Sequence, residues 1–421
     1  MAGPNIARTT MSKSHWAVVL LLVISVLINY VDRSNLSLAV PAIQHQFSLT
    51  PVQIGLLLSA FFWTYALAQL FGLAGYLSDR FPVGWVLATG YILWSGATVL
   101  TGLVSGFTAL YATRLILGLG ESVAYPCYSR VFAELPQQQR GRANAFIDAG
   151  TKLGPSIGAF IGGLLLVHFG WRTLFVVLGT GGLLWLLPWF ALMPRTSHRA
   201  HTAEVTIRWI PRLFRLPSAW GCFFGHFCGN YFYYFLLTWM PAYLAGEKKL
   251  SIAHMSQLTS ALFLLIALST ISAGYLTDAL IARGISATRV RRTSVVIGLG
   301  SASSLLALAV VPNSLAFWIT IMCFACVGFG AYASNHWAIA QTLAGTSMAG
   351  RWSSVQNGMA NLSGIVAPWL TGFIVQWTGS ASIAFVLTGA VALAGAFSWA
   401  LLVRRVEPVD WGSPAVVRIE V

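Results

Sequence analysis

Charged residues are scarce in this chain. Asp, Glu, Lys and Arg make up 9% of its 421 residues, against about 25% in soluble domains, while 57% of the residues are hydrophobic. Such a chain has too few polar side chains to cover a water-soluble fold of its length. The composition therefore excludes a soluble globular protein and predicts that most of the chain lies in a lipid bilayer.

Motifs for nucleotide, metal and redox chemistry are also missing. The sequence contains no Walker A motif, no H-E-x-x-H motif and no group of residues with metal-ligand spacing. Cys323 and Cys326 have the spacing of a redox motif, but they lie in an apolar run where packing is the expected role. We therefore expect no cofactor, no metal site and no enzymatic activity. Any transport by this chain would use an ion gradient instead of ATP as its energy source.

Twelve apolar runs, each near the length of about 20 residues that crosses a bilayer as a helix, fill most of the chain. They cover about residues 16–40, 52–77, 84–104, 107–132, 143–168, 172–193, 219–245, 254–279, 292–311, 314–341, 353–377 and 381–403. The first run lacks a clear small-x-small cleavage site, so we interpret it as a retained helix and not as a signal peptide. The pattern predicts an all-α membrane protein with twelve transmembrane helices.

The net charge of +14 is distributed unevenly among the loops. Most of the 25 Lys and Arg residues lie in the two tails and in every second loop, whereas the other loops carry only Arg172, Lys248 and Lys249. Basic residues concentrate on the cytoplasmic side of membrane proteins. We therefore expect both termini in the cytoplasm, a plasma (inner) membrane location and no nucleic-acid partner.

A polar connector separates two halves of six apolar runs each. We predict an N-terminal six-helix bundle at 1–193, a cytoplasmic central loop at 194–218, a C-terminal six-helix bundle at 219–403 and a cytoplasmic tail at 404–421. A repeated segment supports this division, since Gly75-Tyr76-Leu77-Ser78-Asp79 ends the second run and Gly274-Tyr275-Leu276-Thr277-Asp278 ends the eighth. Two pseudo-symmetric bundles with a site between them are a plan of secondary transporters.

An acid and a base, Asp32 and Arg33, stand side by side inside the first apolar run. A charge at bilayer depth costs about 2.5 to more than 10 kcal/mol, so such residues face a protein interior or a watery cavity. On a helix Asn29 and Arg33 share one face, which Tyr30 and Asp32 border. A brace between helices is one interpretation, and a substrate-facing Arg33 is favoured because the fourth run holds a second cation.

The fourth run carries Arg114 and Glu121 on one helix face, about 10.5 Å apart along the axis, with Gly118 leaving room between them. The planar fork of Arg suits a carboxylate, so Arg33 and Arg114 together imply an anionic substrate. Glu121 is the natural proton carrier, because burial favours the neutral acid whereas a neighbouring Arg favours the carboxylate. A static Arg–Glu pair is the alternative.

The fifth run contains Lys152, four residues after Asp148, a spacing that permits a salt bridge. Lys152 is therefore either a third cation over the site, which would suit a diacid or a larger sugar acid, or a structural partner of Asp148. Glycine recurs at every fourth position from Gly150 to Gly162. Such a stripe allows very close helix contact and could present a smooth face for sliding.

The segment Gly75-Tyr76-Leu77-Ser78-Asp79-Arg80 resembles the G-x-L-x-D-R motif that follows the second helix in major facilitator superfamily transporters. The family often continues with G-x-x-K/R, whereas Phe81-Pro82-Val83-Gly84-Trp85 lacks that second cation. The resemblance implies the twelve-helix major facilitator fold and a conformational latch at Gly75, Asp79 and Arg80. A solvated cytoplasmic turn is the plainer interpretation of Asp79 and Arg80.

A narrower resemblance covers nearly the whole chain. The segments that carry it are Asn29–Arg33, Arg114–Glu121 with Pro126, Asn230–Tyr231, Thr238–Leu244, Asn335–Ile339, Asn357–Asn361 and Ala367–Pro368. They resemble the anion:cation symporter branch, which includes transporters of galactonate and other hexonates or hexuronates, and the vesicular glutamate and sialic acid transporters. The resemblance implies that Arg33 and Arg114 bind the anion and that Asp32 and Glu121 couple protons.

Further substrate-binding candidates are polar, basic or aromatic side chains within spans. They are Tyr30, Tyr65, Lys152, Asn230, Tyr234, Ser334, His336, Trp337 and Asn357, of which the last four match site positions in the second half of the family. Buried polar groups in lipid need partners in any case, so a packing role is the alternative for each neutral candidate.

These features predict a secondary active transporter that works by alternating access. We expect proton-coupled symport of an organic anion, either a sugar acid such as a hexonate or hexuronate or a related carboxylate, by a monomer in the bilayer. The alternatives are an anion exchanger, an organophosphate or drug transporter of the same fold, and a transport-dead membrane sensor. Drug transport would leave Arg33 and Arg114 unexplained, and organophosphate exchange is disfavoured because the second half has no Arg within a span.

Overall fold

The computed structural model describes residues 13–133, 137–193, 209–309 and 314–411. Within these ranges the chain forms fifteen α-helices and one 3₁₀ segment, Ser303–Ala309, and no β-strand. In chain order the helices are α1 (Lys13–Phe47), α2 (Pro51–Leu70), α3 (Leu73–Arg80), α4 (Val83–Leu103), α5 (Phe107–Ser122), α6 (Ala124–Ala133), α7 (Gln137–Leu184), α8 (Leu186–Leu192), α9 (Trp209–Arg215), α10 (Pro217–Gly246), α11 (Ile252–Ala282), α12 (Ala287–Ala302), α13 (Leu315–Asn361), α14 (Ser363–Thr378) and α15 (Ser382–Leu402).

These helices correspond to the twelve predicted spans. The second span is α2 with α3, the fourth is α5 with α6, and the ninth is α12 with the 3₁₀ segment, while α7 and α13 each run through two spans. Eight helices in the described ranges are long and apolar enough to cross a membrane. Both α5 and α12 have 16 residues and are too short alone, so their continuations complete the crossing.

Glycines with positive φ mark three of the breaks in these helices. Gly72 (φ 71°) separates α2 from α3, Gly170 (φ 78°) separates the fifth span from the sixth, and Gly345 (φ 64°) separates the tenth from the eleventh. Side chains other than glycine rarely adopt this left-handed conformation. Glycine therefore permits the break within the second span at Gly72 and the turns between successive spans at Gly170 and Gly345.

The two halves meet along three pairs of spans: α2 against α14, the fifth span in α7 against α11, and α1 against α10. Ser156 and Ser260 exchange hydrogen bonds between the fifth and eighth spans. Tyr233 donates from its hydroxyl to the Thr151 carbonyl at 3.3 Å, between the seventh and fifth spans. Polar side chains on these faces therefore lie between the two bundles, where a transported molecule would bind.

The glycine stripe of the fifth span lies against the first span of the same half. A Cβ at Gly154 would lie 2.5 Å from the Tyr30 Cβ, and a Cβ at Gly158 would clash with Ser34. The stripe thus allows the close contact that the sequence predicted, but it faces the first span and not the other half. Its effect is to fix the helix that carries Arg33, so we assign it no sliding role.

Some of the basic side chains that predict the orientation lie outside the described residues. Residues 1–12, 194–208 and 412–421 carry five of them, so the cytoplasmic placement of the tails and of the central loop stays a prediction. From Trp209 the connector continues as α9, whose Arg212 donates to the Trp411 carbonyl at 2.6 Å. This contact ties the end of the connector to the segment that follows α15.

Candidate substrate site

Arg33 lies buried between the first, second and fourth spans. Its Nε donates to Glu121 Oε2 at 2.7 Å, and both side chains are at most 2% exposed. The rings of Tyr30, Phe61 and Tyr65 surround the guanidinium, with centroids 4.5–4.7 Å from Cζ. Cation–π contacts of this kind stabilise a desolvated cation and hold it in one orientation. We call these three rings with Arg33 the Arg33 cage.

The two outer nitrogens of the caged guanidinium have no hydrogen-bond partner among the described side chains and backbone. Nη1 and Nη2 of Arg33, and Oε1 of Glu121, are buried without a hydrogen-bond partner among the described residues. A buried charged donor without a partner is destabilising until something completes its hydrogen bonds. The two outer nitrogens of a guanidinium match the two oxygens of a carboxylate. The unpaired edge of Arg33 is therefore suited to binding an organic anion.

Asp32 is next to Arg33 in sequence but faces the third and fourth spans. Its charged neighbours are Glu121 and Arg114. Neither carboxylate oxygen is in hydrogen-bonding geometry with a donor in the described part of the chain, and the neighbouring Thr98 hydroxyl donates to the Trp94 carbonyl at 3.0 Å instead. A carboxyl group buried without donors is best accommodated in its neutral, protonated form. This environment suits a proton carrier.

Arg114 does not hold Glu121 directly. The partner of Glu121 at hydrogen-bond distance is Arg33, although the sequence placed Arg114 and Glu121 on one helix face. Residues separated by two turns stand about 10.5 Å apart along the axis, so a residue on a neighbouring helix reaches Glu121 more easily. Arg114 is 3% exposed, its Cζ lies 6.0 Å from the Phe61 ring, and its Nε has no partner within the described ranges. It remains a charged neighbour of both acids.

The second half contributes Tyr234 to this region. The Tyr234 ring packs on Phe62 across the interface at 4.4 Å between centroids, and its hydroxyl donates to Asn361 Oδ1 at 2.6 Å. The phenol is also close enough to Arg33 to interact with its charge. Of the predicted neutral residues, the structure thus brings Tyr30, Tyr65 and Tyr234 to Arg33.

Lys152 lies between Asp148 and the second half. Its Nζ is 3.8 Å from Asp148 Oδ1 and 5.6 Å from the centroid of the Tyr233 ring. It is also a charged neighbour of His226 and His336. Lys152 thus pairs with Asp148, as one interpretation of the sequence expected. It also lies at the interface between the halves, where a third cation over the site would lie.

His336 and Trp337 belong to an aromatic cluster that also contains His226. The His226 ring centroid lies 4.5 Å from that of His336 and 4.9 Å from that of Trp337. Sequence reasoning missed His226, because one histidine in an apolar run gives no sign of a partner on another helix. Its position one turn before Asn230, on the same face of α10, was the signal that could have drawn attention to it.

The other predicted polar residues have hydrogen bonds of their own. Asn357 Nδ2 donates to Gln69 Oε1 at 3.2 Å across the halves, and Ser334 Oγ donates at 2.9 Å to a backbone carbonyl of its own helix. Asn230 lies beside the His226 ring. Asn357 is therefore placed at the interface between the bundles, whereas the contacts of Ser334 lie within the second half.

The latch motif lies in α3, where Arg80 is exposed and Gly75 has open space around it. The side chain of Asp79 falls outside what the structure describes. In the second half the matching Asp278 forms a 3.8 Å ion pair with Arg291 near the start of α12. The acidic residue of the repeated motif in the second half thus forms an ion pair, whereas the latch at Gly75, Asp79 and Arg80 stays a prediction.

The sequence matches the model of the Major Facilitator Superfamily over residues 22–368, which is most of the chain. The chain belongs to the major facilitator superfamily. Its membership confirms the predicted twelve-helix, two-bundle fold and the expectation of a multi-pass membrane transporter instead of an enzyme. A solved structure supports the fold: a bacterial homologue of the human lysosomal transporter Spinster, inward-facing and occupied, has a TM-score of 0.78 at 19% identity and covers 94% of this chain and 98% of that one.

Similar superfamily members include transporters named for sugar acids. The hexuronate transporter of Bacillus subtilis is 30% identical over 423 residues, which cover 97% of this chain and 98% of that protein. The probable L-galactonate transporter of Escherichia coli is 29% identical over 94% of this chain and 91% of its own length. The chloroplastic ascorbate transporter of Arabidopsis thaliana is 30% identical over 94% and 76%. These relatives confirm the resemblance on which the sequence interpretation relied.

Proposed function

We propose that this superfamily member is a proton-coupled symporter of an organic anion, a sugar acid such as a hexonate or hexuronate or a related carboxylate. The observation that carries the proposal is the Arg33 cage, in which the outer guanidinium nitrogens are buried and have no partner within the described part of the chain. The relatives named for hexuronate and L-galactonate support the same class of cargo.

The anion binds first at Arg33. Its carboxylate accepts from Nη1 and Nη2, while Arg114 adds a second positive charge to the same buried cluster. Tyr30, Tyr65 and Tyr234 border the bound molecule and contribute ring faces and hydroxyls. An anion in this position replaces the missing partners of Arg33, which explains why a desolvated cation is kept there.

Proton coupling follows from competition for one guanidinium. Arg33 Nε donates to Glu121 Oε2 at 2.7 Å, a contact that favours the ionised form of the acid. When a substrate carboxylate neutralises Arg33, the attraction that keeps Glu121 ionised weakens, and burial then favours the protonated acid. Asp32, whose oxygens have no hydrogen-bond donor among the residues that the structure describes and which has Glu121 as a neighbour, is the second carrier of the proton. One proton for each negative charge makes uptake electroneutral.

The proposed cycle rocks the bundle at 1–193 against the bundle at 219–403 around this site, with both termini in the cytoplasm and the protein in the plasma membrane. Reconstitution in proteoliposomes with an imposed pH gradient tests it. We expect a hexonate or hexuronate to enter against its gradient when the outside is acidic, and a dye in the lumen to report acidification. Entry that ignores the pH gradient would indicate exchange, and the absence of any carboxylate entry would refute anion transport. Protein-free liposomes give the leak.

A further inference from the structure

A surface pocket of about 500 Å³ lies between the start of α12 and the end of α15, in the other half of the molecule from the Arg33 cage. Ligand pockets are commonly about 300–1,000 Å³ in volume. The polar wall of this pocket consists of two arginines and three hydroxyl side chains, namely Arg289, Arg292, Ser286, Thr288 and Thr293. The proposed transport site uses none of these residues.

The two arginines of the pocket lie on one face of α12, because they are three residues apart. Neither Arg289 nor Arg292 forms an ion pair within the described ranges, whereas the neighbouring Arg291 pairs with Asp278 at 3.8 Å. Arg292 Nη2 donates to the Ala400 carbonyl, and this contact holds the guanidinium at the pocket wall. A guanidinium has five N–H donors, so both arginines keep donors for an anion.

The surroundings of the pocket add to its positive potential. The N-cap side chain of α12 makes no capping hydrogen bond, so the positive end of the helix dipole is left without a side-chain acceptor. After α15, the Val406 amide donates to Thr288 Oγ1 at 3.0 Å. This hydrogen bond brings the exposed Arg404 and Arg405, which directly precede Val406, to the rim of the pocket, against one exposed acid, Glu407.

The remaining wall of the pocket is apolar and continues onto the lipid-facing surface. Val296 and Ile297 line the pocket further along α12, and Ile297 is 59% exposed. On α15 the lining residue is Ala400, and the nearby Phe397 and Leu401 are each more than half exposed. Apolar side chains that are exposed on a membrane-spanning helix contact acyl chains in the bilayer. The pocket therefore combines a cationic end near the membrane surface with an apolar end toward the hydrocarbon.

We propose that this pocket binds an anionic phospholipid of the cytoplasmic leaflet. The phosphate oxygens accept from Arg289, Arg292 and the hydroxyl groups, while the acyl chains lie along the surface at Ile297. Basic pockets between transmembrane helices on the cytoplasmic side suit such headgroups, and the sequence predicts that this face is cytoplasmic. A soluble phosphate compound would use only the cationic wall, so the adjoining apolar surface favours a lipid.

Native mass spectrometry of the full-length protein in a neutral detergent tests the site, because it counts the lipids bound at each point of a titration. Phosphatidylglycerol is compared with phosphatidylcholine of the same acyl chains and with glycerol phosphate, which has no chains. We expect the first phosphatidylglycerol to bind about 10-fold more tightly than phosphatidylcholine, whose ammonium group is repelled by the arginines. Glycerol phosphate should bind more weakly than phosphatidylglycerol, because it buries no apolar surface.

Three substitutions locate the effect. Arg289→Gln should lower the affinity for phosphatidylglycerol about 10-fold and leave that for phosphatidylcholine unchanged, because it removes hydrogen bonds to a charged phosphate. Thr293→Trp fills the pocket without changing the net charge and should weaken phosphatidylglycerol binding as well. Arg283→Gln, at an exposed arginine directly after α11 that does not line the pocket, makes the same change in net charge and should behave as the unmodified protein. All three positions are exposed, and an unchanged thermal midpoint shows that each variant is folded.

Three outcomes would overturn the proposal. Equal binding of phosphatidylglycerol and phosphatidylcholine would mean that the arginines do not recognise the headgroup. An equal loss of affinity in Arg289→Gln and Arg283→Gln would show a diffuse attraction to the basic face and no defined pocket. Glycerol phosphate that binds as tightly as phosphatidylglycerol would assign the pocket to a soluble phosphate compound. None of these outcomes changes the proposed transport function, which depends on the Arg33 cage.

Discussion

The two bundles resemble each other in helix arrangement but differ in what they bury. Among the described residues, the N-terminal bundle buries four charged side chains, Asp32, Arg33, Arg114 and Glu121, each at most 5% exposed. The C-terminal bundle has no charged residue in the middle of its spans and buries His226, His336 and amides instead. A duplicated plan has thus diverged, with charge concentrated in one half and neutral hydrogen bonding in the other.

The bundles also differ in the charge of the buried polar atoms that lack partners. In the first half, both outer nitrogens of Arg33, both oxygens of Asp32 and one oxygen of Glu121 lack partners among the described residues. In the second half, the buried atoms that lack partners among the described residues are neutral hydroxyls and indole nitrogens, such as those of Ser256 and Trp318, while Trp352, Gln356 and His226 form a hydrogen-bonded chain. Unpaired charged atoms are where a ligand and a proton can enter, whereas neutral hydrogen-bonding groups select the shape of the ligand. The difference predicts that first-half substitutions abolish transport and second-half substitutions change its selectivity.

Arg33→Lys should have the largest effect. One ammonium group cannot contact Glu121 and also present two parallel donors to a carboxylate. Losing two hydrogen bonds to a charged group should lower proton-driven uptake on the order of 100-fold, measured as initial rates in proteoliposomes at equal protein density. Arg283→Lys, an exposed cation at the end of α11, is the matched control and should retain normal rates. Near-normal uptake by Arg33→Lys would show that transport does not depend on the guanidinium of the N-terminal bundle.

Glu121→Gln should separate net uptake from exchange. The amide oxygen of Gln can still accept from Arg33 Nε, so the Arg33 cage should persist, but the side chain no longer takes a proton. We expect proton-driven uptake to fall about 10-fold or more, while exchange of labelled for unlabelled anion continues. Glu247→Gln, at an exposed acid after the seventh span, is the control. If Glu121→Gln lost exchange and binding as well, Glu121 would be a brace for Arg33 and not a proton carrier.

The spans and the candidate charges could be read from the sequence because each depends on local composition. Asp32, Arg33, Arg114 and Glu121 stand out wherever a charge interrupts an apolar run, since lipid makes such a charge costly. The glycine stripe could be read for the same reason, because close helix contact depends on small residues at regular spacing. These patterns predict which residues are candidates for the site. The structure places the four charged candidates in one buried cluster.

The pairing of these residues could not be read from the sequence. Glu121 pairs with Arg33, from a helix 88 residues away in sequence, because the rotation of the first span about its axis decides which side chain reaches the fourth. The same holds for His226 and His336, on helices that are far apart in sequence. The partner of the glycine stripe also depended on packing, which set it against the first span. Helix periodicity therefore predicts the face on which a residue lies, but only the packing of the helices shows which residue is its partner.

Gly158→Ala tests whether the charged half depends on this packing. The added Cβ would clash with Ser34 and lie 3.0 Å from the Val31 Cα, on the helix that carries Arg33. Overpacking of this kind costs about 1–3 kcal/mol, so we expect a lower thermal midpoint and weaker anion binding together. Gly181→Ala, where a Cβ meets nothing within 4 Å, should change neither. A loss of stability with normal binding would show that the Arg33 cage tolerates displacement of its helix.

Tyr234→Phe should have the smallest effect and tests the boundary between the halves. The substitution removes the 2.6 Å hydrogen bond to Asn361 but keeps the ring that packs on Phe62. A neutral hydrogen bond contributes about 0.5–1.5 kcal/mol, so apparent affinity should fall by about 2- to 10-fold with little change in maximal rate. Tyr275→Phe, at a 78% exposed site, is the control. If Tyr234→Phe were as damaging as Arg33→Lys, the phenol would belong to the charged centre, because its electrostatic link to Arg33 would then outweigh its bond to Asn361. A small effect on affinity alone would place Tyr234 with the neutral half, which shapes the site while the first half supplies the charge.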